Sequence, residues 1–589
     1  MSILGISCFY HDAAIALIDD EKIIFAAHEE RYSRIKHDSS FPILALNALR
    51  DYVPGATNGI SHVRFYENPF LKFARILDET LDTWPFGFRQ YSEAIPLWMS
   101  SRLSMMDEIR LNLRKLGIEA EVSNSQHHMS HAASAFFTSG FEEAAVLTID
   151  AVGEYACSTI MHGVKNELHN ICEQSYPDSV GMLYSTITSF LGFKVNEGEY
   201  KVMGLAPYGR PKYVDKIFDR LVRLNDDGSI ILNQRYFGYR TGLKMYGDEI
   251  VSLFGVEPRR GESPLLQVHF DIAASIQFVL NTIVLRMAKY AKSVTGTDNL
   301  CMAGGVALNC VSNMVLLESK IFKQIYIQPA AGDAGGALGA ALDYAYNSNT
   351  EPQKNGGRFK RYQMGTGALG NSYLDADSKV FLREAGANFM TFPEEALVEE
   401  VVEDLAAGRI VGIHAGRSEF GPRALGFRSI LADPRPKDVK STVNTRIKFR
   451  EGFRPFAPLV LEEYVDEIFE PGANNEFMLF TQRALPGVAD LYPGVIHTDG
   501  TARVQIIRAE NKTLTSKILR KFHANTGCPM LINTSFNIRG EPMVETPMDA
   551  FRCFMGTNME RLVIGGLYLR KEDQNHNLAF PYHINQPLD

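Results

Sequence analysis

Two stretches of this chain, well apart in sequence, share one pattern: an apolar β-rich run, a short polar or acidic turn, and a second β-rich run. The first lies at the N-terminus, where SILGISCF, AAIALIDD and KIIFAAHE are three such runs joined by polar residues. Alternating apolar character over short lengths with tight turns between predicts an antiparallel meander. The second is AAVLTIDAVGEYACSTIMHG, in which a strand ends at Asp150, turns through Gly153 and continues as another strand. A strand–turn–strand unit occurring twice predicts a domain built from duplicated halves.

The sequence between and after these units is mixed α/β. Leu97 to Leu116 has helical spacing of Leu, Met and Arg, and Ser125 is placed to cap a helix carrying HHMSHAASAFF. In FDIAASIQFVLNTIVLRMAKYA, residues Ile272, Ile276, Val279 and Ile283 fall on one helical face. NLCMAGGVALNCVSN predicts a strand, a glycine turn and a helix start, and PAAGDAGGALGAAL a second glycine turn. Residues 347–362, NSNTEPQKNGGRFKRY, are polar, with Pro, Gly and clustered charge, and form the expected linker between domains 1–355 and 356–589. Beyond it, Pro393 opens a helix that Gly408 closes, RIVGIHAG is a strand, KILRKFHANTG a helix, PMLINTS a strand, Thr546-Pro547 a helix start, and RLVIGGLYL a final strand. Two strand–turn–strand halves that close on a nucleotide are the layout of actin-like ATPase folds.

With 589 residues the chain is long enough for three or four folding units, and 45% hydrophobic residues supply cores for them. The net charge of −9 argues against general phosphate attraction to nucleic acid. Seven cysteines without metal-type spacing predict reduced thiols in a cytoplasmic protein. The N-terminus lacks a basic start and a small-residue cleavage site, and no run of about 18 apolar residues occurs, so neither a signal peptide nor a membrane span is expected.

Four constellations carry chemistry. His127 and His131, in His127-His128-Met129-Ser130-His131, are four apart and share a helical face. Two imidazoles so placed can bind one cation if carboxylates join them, and Asp150 and Asp333 are the candidates. That donor set suits Fe(II), Mn(II) or zinc. An isolated HxxxH pair more often packs into a core, and His128, off the shared face, is expected to be structural. The glycine turns Ala303-Gly304-Gly305-Val306 and Gly332-Asp333-Ala334-Gly335-Gly336 permit close approach of a nucleotide, although such turns also serve strand-to-helix packing. Arg423, within Gly416 to Gly426, then Lys448, Arg450, Arg454 and Arg503, stand in apolar or glycine-rich surroundings with Asn533, Ser535 and Asn537 nearby in sequence. Arginine forks and a lysine point charge match a triphosphate plus a second phosphorylated substrate. His11-Asp12 follows the first strand, where a histidine could take a proton from an alcohol.

Taken together, HDAAIALI, EERYSRIKHD, HHMSHAASAF, GEYKVMGLAPYG, MAGGVALN, GDAGGALG, GRSEFGPRALGFRSILADPR, KFREGFRPFAP and NTSFNIRGEP resemble the NodU/CmcH-type O-carbamoyltransferase family over nearly the whole chain. The resemblance implies an N-terminal actin-like (ASKHA) domain similar to the tRNA threonylcarbamoyl transferase, fused to a YrdC-like α/β domain. It implies that ATP and carbamoyl phosphate yield carbamoyladenylate and pyrophosphate in the second domain, and that the first moves the carbamoyl group to a hydroxyl. On that likeness His127, His131, Asp150 and Asp333 hold a divalent metal, with Fe(II) preferred over Mn, Zn or Mg. His11, beside Asp12, is the base. Arg423, Lys448, Arg454, Arg503 and Ser535, with Asn533 and Asn537, meet phosphates. Lys201, Gly204, Gly304, Gly305 and Asn309 line the adenylate cleft, and Mg accompanies ATP. The implied partner is a small hydroxylated acceptor, with no nucleic acid or membrane; a homodimer is compatible. A tRNA-modifying transferase, an actin-like ATPase without group transfer and a sugar kinase are the competing classes. The acidic balance and the fusion to a YrdC-like half weigh against the first, the cationic cluster from Arg423 to Ser535 weighs against the second, and the third would turn ATP into ADP rather than AMP and pyrophosphate.

Overall fold

In the computed structural model, residues 2–19, 22–347, 362–450, 452, 454–472 and 474–575 are described. The expected linker 347–362 falls almost wholly outside them. Two compact units form: Met1–Ala26 with Ser39–Gln363, and Ala27–Asp38 with Met364–Asp589. The assignment of Ala27–Asp38 to the second unit is not signalled by any composition change in the sequence.

The first unit contains two five-stranded sheets. One has β1 (Ser2–Ser7), β2 (Ala14–Asp19), β3 (Lys22–His28), β4 (Ile60–Phe65) and β5 (Glu121–Asn124) in the order β3-β2-β1-β4-β5. The other has β6 (Glu143–Ile149), β7 (Ala156–Val164), β8 (Glu167–Ser175), β11 (Asn299–Ala303) and β12 (Gln324–Ile327) in the order β12-β11-β6-β7-β8, while β9 (Val222–Leu224) and β10 (Ile230–Leu232) pair separately. Both sheets follow one plan. The first strand of each pairs antiparallel with the second (β1 with β2, β6 with β7) and parallel with the fourth (β1 with β4, β6 with β11). The duplication expected from the strand–turn–strand repeat is therefore present as topology.

The halves exchange helices. Helix His127–Phe136, which follows the first sheet in sequence, packs on β6, β7 and β11 of the second. Helix Asp333–Asn347, which follows the second sheet, packs on β1, β2 and β4 of the first, and the two helices pack on each other. Their approach is close because small residues line it. A Cβ on Gly339 would lie 1.7 Å from the Ser130 carbonyl oxygen.

Local expectations fail in two places in this unit. Leu97–Leu116 is two helices, Phe88–Ser100 and Met105–Lys115, separated by a break at Ser101. Ser125 does not cap the His127 helix. Its hydroxyl donates to Asp343 Oδ2 at 2.7 Å, and the Glu154 carboxylate takes the His127 N–H instead, at 3.0 Å. Helix Gln267–Thr295 forms as expected, with Ile272, Ile276, Val279 and Ile283 fully buried. It is long and apolar enough to cross a membrane, but 67% of its most apolar window is buried against the rest of the protein, as in a core helix.

The second unit is built on one mixed eight-stranded sheet. Its strands are β13 (Met390–Thr391), β14 (Val411–His414), β15 (Arg428–Ala432), β16 (Ala457–Leu461), β19 (Gln505–Ile507), β20 (Met530–Ser535), β21 (Arg561–Ile564) and β22 (Leu567–Arg570), in the order β13-β22-β21-β14-β15-β20-β16-β19. A two-residue pair, β17 (Gln482–Arg483) with β18 (Thr501–Ala502), stands apart. The expected single strand RLVIGGLYL is a hairpin, β21 and β22, turning at Gly565-Gly566. Helices Glu394–Ala406 and Leu514–Thr526 pack together, and Pro547–Met555, started by a Thr546–Asp549 capping box, packs on β14 and β21. None of the seven cysteines is joined in a disulfide.

Alanine in place of glycine inside a helix ordinarily gains about 0.5–1 kcal/mol. At Gly339 the close approach reverses that sign. Gly339→Ala is expected to destabilise by about 1–3 kcal/mol through overpacking, seen as a lower midpoint in chemical denaturation; a raised midpoint would refute the close packing of the two exchanged helices.

Candidate metal and phosphate sites

Residues from four elements meet where the two halves of the first unit exchange helices. His127 and His131 point from one face of their helix, Asp150 follows the last residue of β6, and Asp333 begins helix Asp333–Asn347. The His131 Nε2 lies 3.0 Å from Asp150 Oδ2, 3.1 Å from His127 Nε2 and 3.5 Å from Asp333 Oδ1. The His127 Nε2 lies 3.3 Å from Asp150 Oδ2 and 3.7 Å from Asp333 Oδ1. Donors about 2.0–2.1 Å from a shared cation stand about 3.0–3.4 Å apart in octahedral or tetrahedral arrangements. All four donor atoms fall within 4.8 Å of one another, so the expected ligand set is assembled as a set.

The electrostatics ask for a cation. Neither Asp150 nor Asp333 has a lysine or arginine partner among the described residues; both carboxylates face imidazoles. Burial by itself raises the Asp150 carboxyl, but hydrogen bonds from His127 and His131 hold it well below the ordinary range. Burial likewise lowers His127, and the Asp333 charge and the Asp150 hydrogen bond more than reverse it. Without a metal the cluster balances its carboxylates with protons on the ring nitrogens that would be ligands. A divalent cation does the same work with those nitrogens deprotonated.

Around the ligands lies a support that the sequence did not single out. Glu67, fully buried at the end of β4, places Oε2 3.5 Å from His127 Nδ1 and 2.6 Å from the Lys72 ammonium. Tyr66 donates to Asp333 Oδ2 at 3.3 Å. Asp333 thus faces the histidines with Oδ1, and Tyr66 and His11 with Oδ2, the His11 Nε2 being 3.6 Å away. His11 Nδ1 bonds to Asp12 Oδ2 at 3.2 Å, and Asp12 holds a positive φ of 53° to make that turn. Burial lowers the His11 imidazole, yet the charge of Asp333 and the Asp12 hydrogen bond raise it to about 10. His128 points elsewhere, with Nδ1 2.6 Å from Thr148 Oγ1. Burial and the two neighbouring imidazoles depress it to about 3, as befits a neutral structural ring.

Gly304, with φ of 90°, packs so tightly on β6 that a Cβ would lie 2.3 Å from the Ile149 carbonyl oxygen, and a Cβ on Gly305 would stand 3.2 Å from Asp150 Oδ1. This glycine turn therefore sits directly against a ligand. Asn309 is committed to local structure: it caps helix Cys310–Glu318 and exchanges two hydrogen bonds with Gln277. Lys201 is 1% exposed with its ammonium 5.5 Å from the Phe193 ring. Its helix, Glu199–Leu205, touches the Asn309 helix through Met203 and Cys310, and Gly204 faces open space.

In the second unit, Lys448, Ser535 and Asn537 are joined by hydrogen bonds at the end of β20, and Asn533 ties that strand to the loop that carries Arg423. The Lys448 ammonium is 2% exposed and donates to Ser535 O and Oγ and to Asn537 O and Oδ1, at 2.6–3.1 Å. Burial first, then the Arg450 and Arg454 charges, pull its pKa well down. The Ser535 hydroxyl donates to Asn537 Oδ1 at 2.7 Å. Asn533 Nδ2 donates to the Ala424 carbonyl, next to Arg423, and to Gln505 Oε1, two residues past Arg503. The Arg454 carbonyl accepts from Asn444, which also takes a hydrogen bond from Arg450. Arg428, by contrast, is wholly buried and donates to the carbonyls of Ala415, Gly416, Phe427 and Asn371. It holds the loop and cannot meet a substrate.

Residues 2–342 match the family model "Carbamoyltransferase N-terminus" and residues 402–571 match "Carbamoyltransferase C-terminus". This chain belongs to the carbamoyltransferase family. The enzyme is 43% identical to the uncharacterized protein sll1178 of Synechocystis sp., over 97% of each chain. It is 36% identical to the nodulation protein NolNO of Sinorhizobium fredii, over 96% of this chain and 79% of that one. Among solved structures, component A of the (R)-2-hydroxyglutaryl-CoA dehydratase of Acidaminococcus fermentans overlays with a TM-score of 0.33 and 15% identity, covering 60% of this chain and 100% of that chain, a likeness too loose to carry an argument.

As a carbamoyltransferase the protein moves a carbamoyl group, and Glu67 bears on how firmly its histidines are held. A carboxylate against the rear nitrogen of a ligating imidazole fixes its tautomer and orientation, and removing such a partner typically costs about 10–100-fold in metal affinity. Glu67→Ala is expected to lose metal in that range, measured by competition with a chelator; wild-type affinity would mean that His127 is oriented by its helix alone.

Proposed function

We propose that this carbamoyltransferase is an ATP-dependent O-carbamoyltransferase acting on a hydroxyl of a small natural product. In this reading a YrdC-like second part uses one water to split carbamoyl phosphate into carbamate and phosphate, and the carbamate oxygen then attacks the α-phosphate of ATP, releasing pyrophosphate and leaving carbamoyladenylate. An actin-like first part then passes the carbamoyl group to the acceptor. The observation that carries the proposal is the four-donor cluster of His127, His131, Asp150 and Asp333 with His11 at its rim, in a chain whose other half gathers Lys448, Ser535 and the Arg423 loop.

The residues divide the work. In the second unit Lys448 gives up hydrogen bonds to Ser535 and Asn537 in favour of phosphate oxygens, and Arg423, Arg454 and Arg503 add charge around it. A nearly buried ammonium whose pKa is pulled down gains most from an anion, because the anion restores the charge balance that burial removed. In the first unit the acceptor oxygen attacks the carbamoyl carbon, the C–O bond to the adenylate phosphate breaks, and AMP leaves with that electron pair. His11, oriented by Asp12, takes the hydroxyl proton as the new bond forms, in the state in which a cation held by Asp333 offsets the charge that otherwise keeps the imidazole protonated. Gly304 and Gly305 let the adenylate approach the backbone beside Asp150. A divalent metal held by the two histidines and two aspartates, Fe(II) by preference, supplies Lewis-acid polarisation and charge neutralisation.

Incubation with ATP, carbamoyl phosphate and a panel of hydroxylated natural products, followed by mass spectrometry, tests the reading. A gain of one carbamoyl unit on an acceptor is expected; transfer of phosphate instead would make the protein a kinase and sink the proposal. Within it, Lys448→Met is expected to cut pyrophosphate release at least about 100-fold, while His11→Asn leaves that release intact and slows transfer by about 10²–10⁴-fold. Equal loss of both steps in His11→Asn would remove its assignment as the base.

A further inference from the structure

The short helical turn Glu30–Ser33 lies in the stretch Ala27–Asp38, which packs into the second unit although about 330 residues separate it from the rest of that unit. Two arginines from this turn hold two different loops. Arg31 is 2% exposed, and its Nη2 donates to the carbonyls of Glu419 at 3.4 Å and Gly421 at 3.2 Å. Arg34, three residues on and held at a positive φ of 61°, donates through Nη1 to the Met543 carbonyl at 2.5 Å and through Nη2 to the Pro542 carbonyl at 2.8 Å. The same Nη1 donates to the Arg31 carbonyl at 3.2 Å, tying the two arginines together. The His28 ring packs 5.2 Å from that of Phe420.

Both loops carry members of the cationic cluster. The first, Gly416 to Gly426, is drawn tight by Glu419, whose Oε1 accepts from the N–H groups of Leu425, Phe427 and Arg428. Arg423 sits in it between Gly421, which Arg31 holds, and Ala424, which Asn533 holds. The second loop leaves β20 through Ser535 and Asn537, the partners of Lys448. It is closed by the hydrogen bond from Asn537 Nδ2 to the Glu541 carbonyl at 2.6 Å, one residue before Pro542. Arg34 commits both terminal nitrogens to carbonyl oxygens, whereas Arg31 donates through Nη2 alone. A fork that bridges two carbonyls fixes a loop in a way that a single ammonium cannot.

We propose that Ala27–Asp38 is a staple for the carbamoyl-activating site: Arg31 and Arg34 are positioning residues that set the separation of Arg423 from the Lys448–Ser535–Asn537 cluster. The inference rests on the reading of those residues as the phosphate-binding set. Cations that must grip two phosphorylated substrates at once depend on their spacing, and misplacement by about 1 Å can cost about 100-fold. The staple also makes the second unit dependent on sequence from the far end of the chain.

The test uses the full chain, with Arg31→Met and Arg34→Met compared with Arg31→Lys and Arg34→Lys. Pyrophosphate release is followed as a function of carbamoyl phosphate and ATP, alongside thermal midpoint and metal content. Each Met variant is expected to raise KM for carbamoyl phosphate by about tenfold or more, with metal content unchanged and partial recovery in the Lys variants. A lowered midpoint with wild-type KM in either Met variant would mean a purely structural role and overturn the proposal. If a Met variant does not fold, the Lys variant, which keeps the charge and loses the fork, decides: raised KM supports the staple and wild-type KM overturns it. Wild-type enzyme that releases no pyrophosphate from ATP and carbamoyl phosphate would overturn the functional reading and the staple with it, whereas normal wild-type release with unchanged variants overturns the staple alone.

Discussion

Two carboxylates without a lysine or arginine partner among the described residues, the half-buried Asp150 and the buried Asp333, stand against two buried imidazoles, and the first unit is arranged around that juxtaposition. Unpaired buried carboxylates are costly unless a cation or protons balance them. Each ligand here belongs to an element whose position is set by something else. The histidines ride on a helix that packs on the second sheet, Asp150 ends the first strand of that sheet, and Asp333 opens the helix that packs on the first sheet. The cluster forms only if both halves are folded and their helices exchanged, so ligand geometry and domain architecture are one constraint.

Close packing also brings the Gly304-Gly305 turn to the four-donor cluster. Gly304 lets its turn lie against the end of β6, so that Gly305 stands beside Asp150. His11 and Asp12 follow β1 as Asp150 follows β6, the matching strand of the other half. The duplicated topology thus delivers a carboxylate of the four-donor cluster from one half and a histidine from the other to the same place. The second unit answers a different problem, holding the nearly buried Lys448 ammonium, and does so with backbone carbonyls, a serine and an asparagine past the end of β20 rather than with a paired acid.

What the sequence could disclose follows from how far each interaction reaches. The His127–His131 pair is legible because a helix fixes its spacing locally, and the two halves are legible because strand–turn–strand units keep their pattern. Asp150, at a strand end, and Asp333, in a glycine turn, read from the sequence as candidate partners for the histidines, and the family resemblance singled them out, since periodicity does not bring a strand end and a distant helix start together. Glu67 carried a usable signal, an acidic residue ending a strand as Asp150 does. Arg31 carried none, because its partners lie 388 and 390 residues away. The misplaced cap at Ser125 has the same origin: the Glu154 carboxylate that satisfies the helix N-terminus comes from another turn. RLVIGGLYL reads as one apolar strand by composition, and only the left-handed Gly565 makes it a hairpin.

The account's central claim is a division of labour between an acyl-nucleotide-forming cationic cluster and a metal-type cluster that spends the product. The most direct measurement is phosphorus NMR of wild-type protein given ATP, carbamoyl phosphate and no acceptor, and then of protein carrying His127→Ala and His131→Ala under the same conditions. The account predicts pyrophosphate from both, with AMP and a carbamoylated alcohol appearing only for the wild type once acceptor is added. Production of ADP in place of pyrophosphate, or loss of pyrophosphate when only the two histidines are removed, would contradict it.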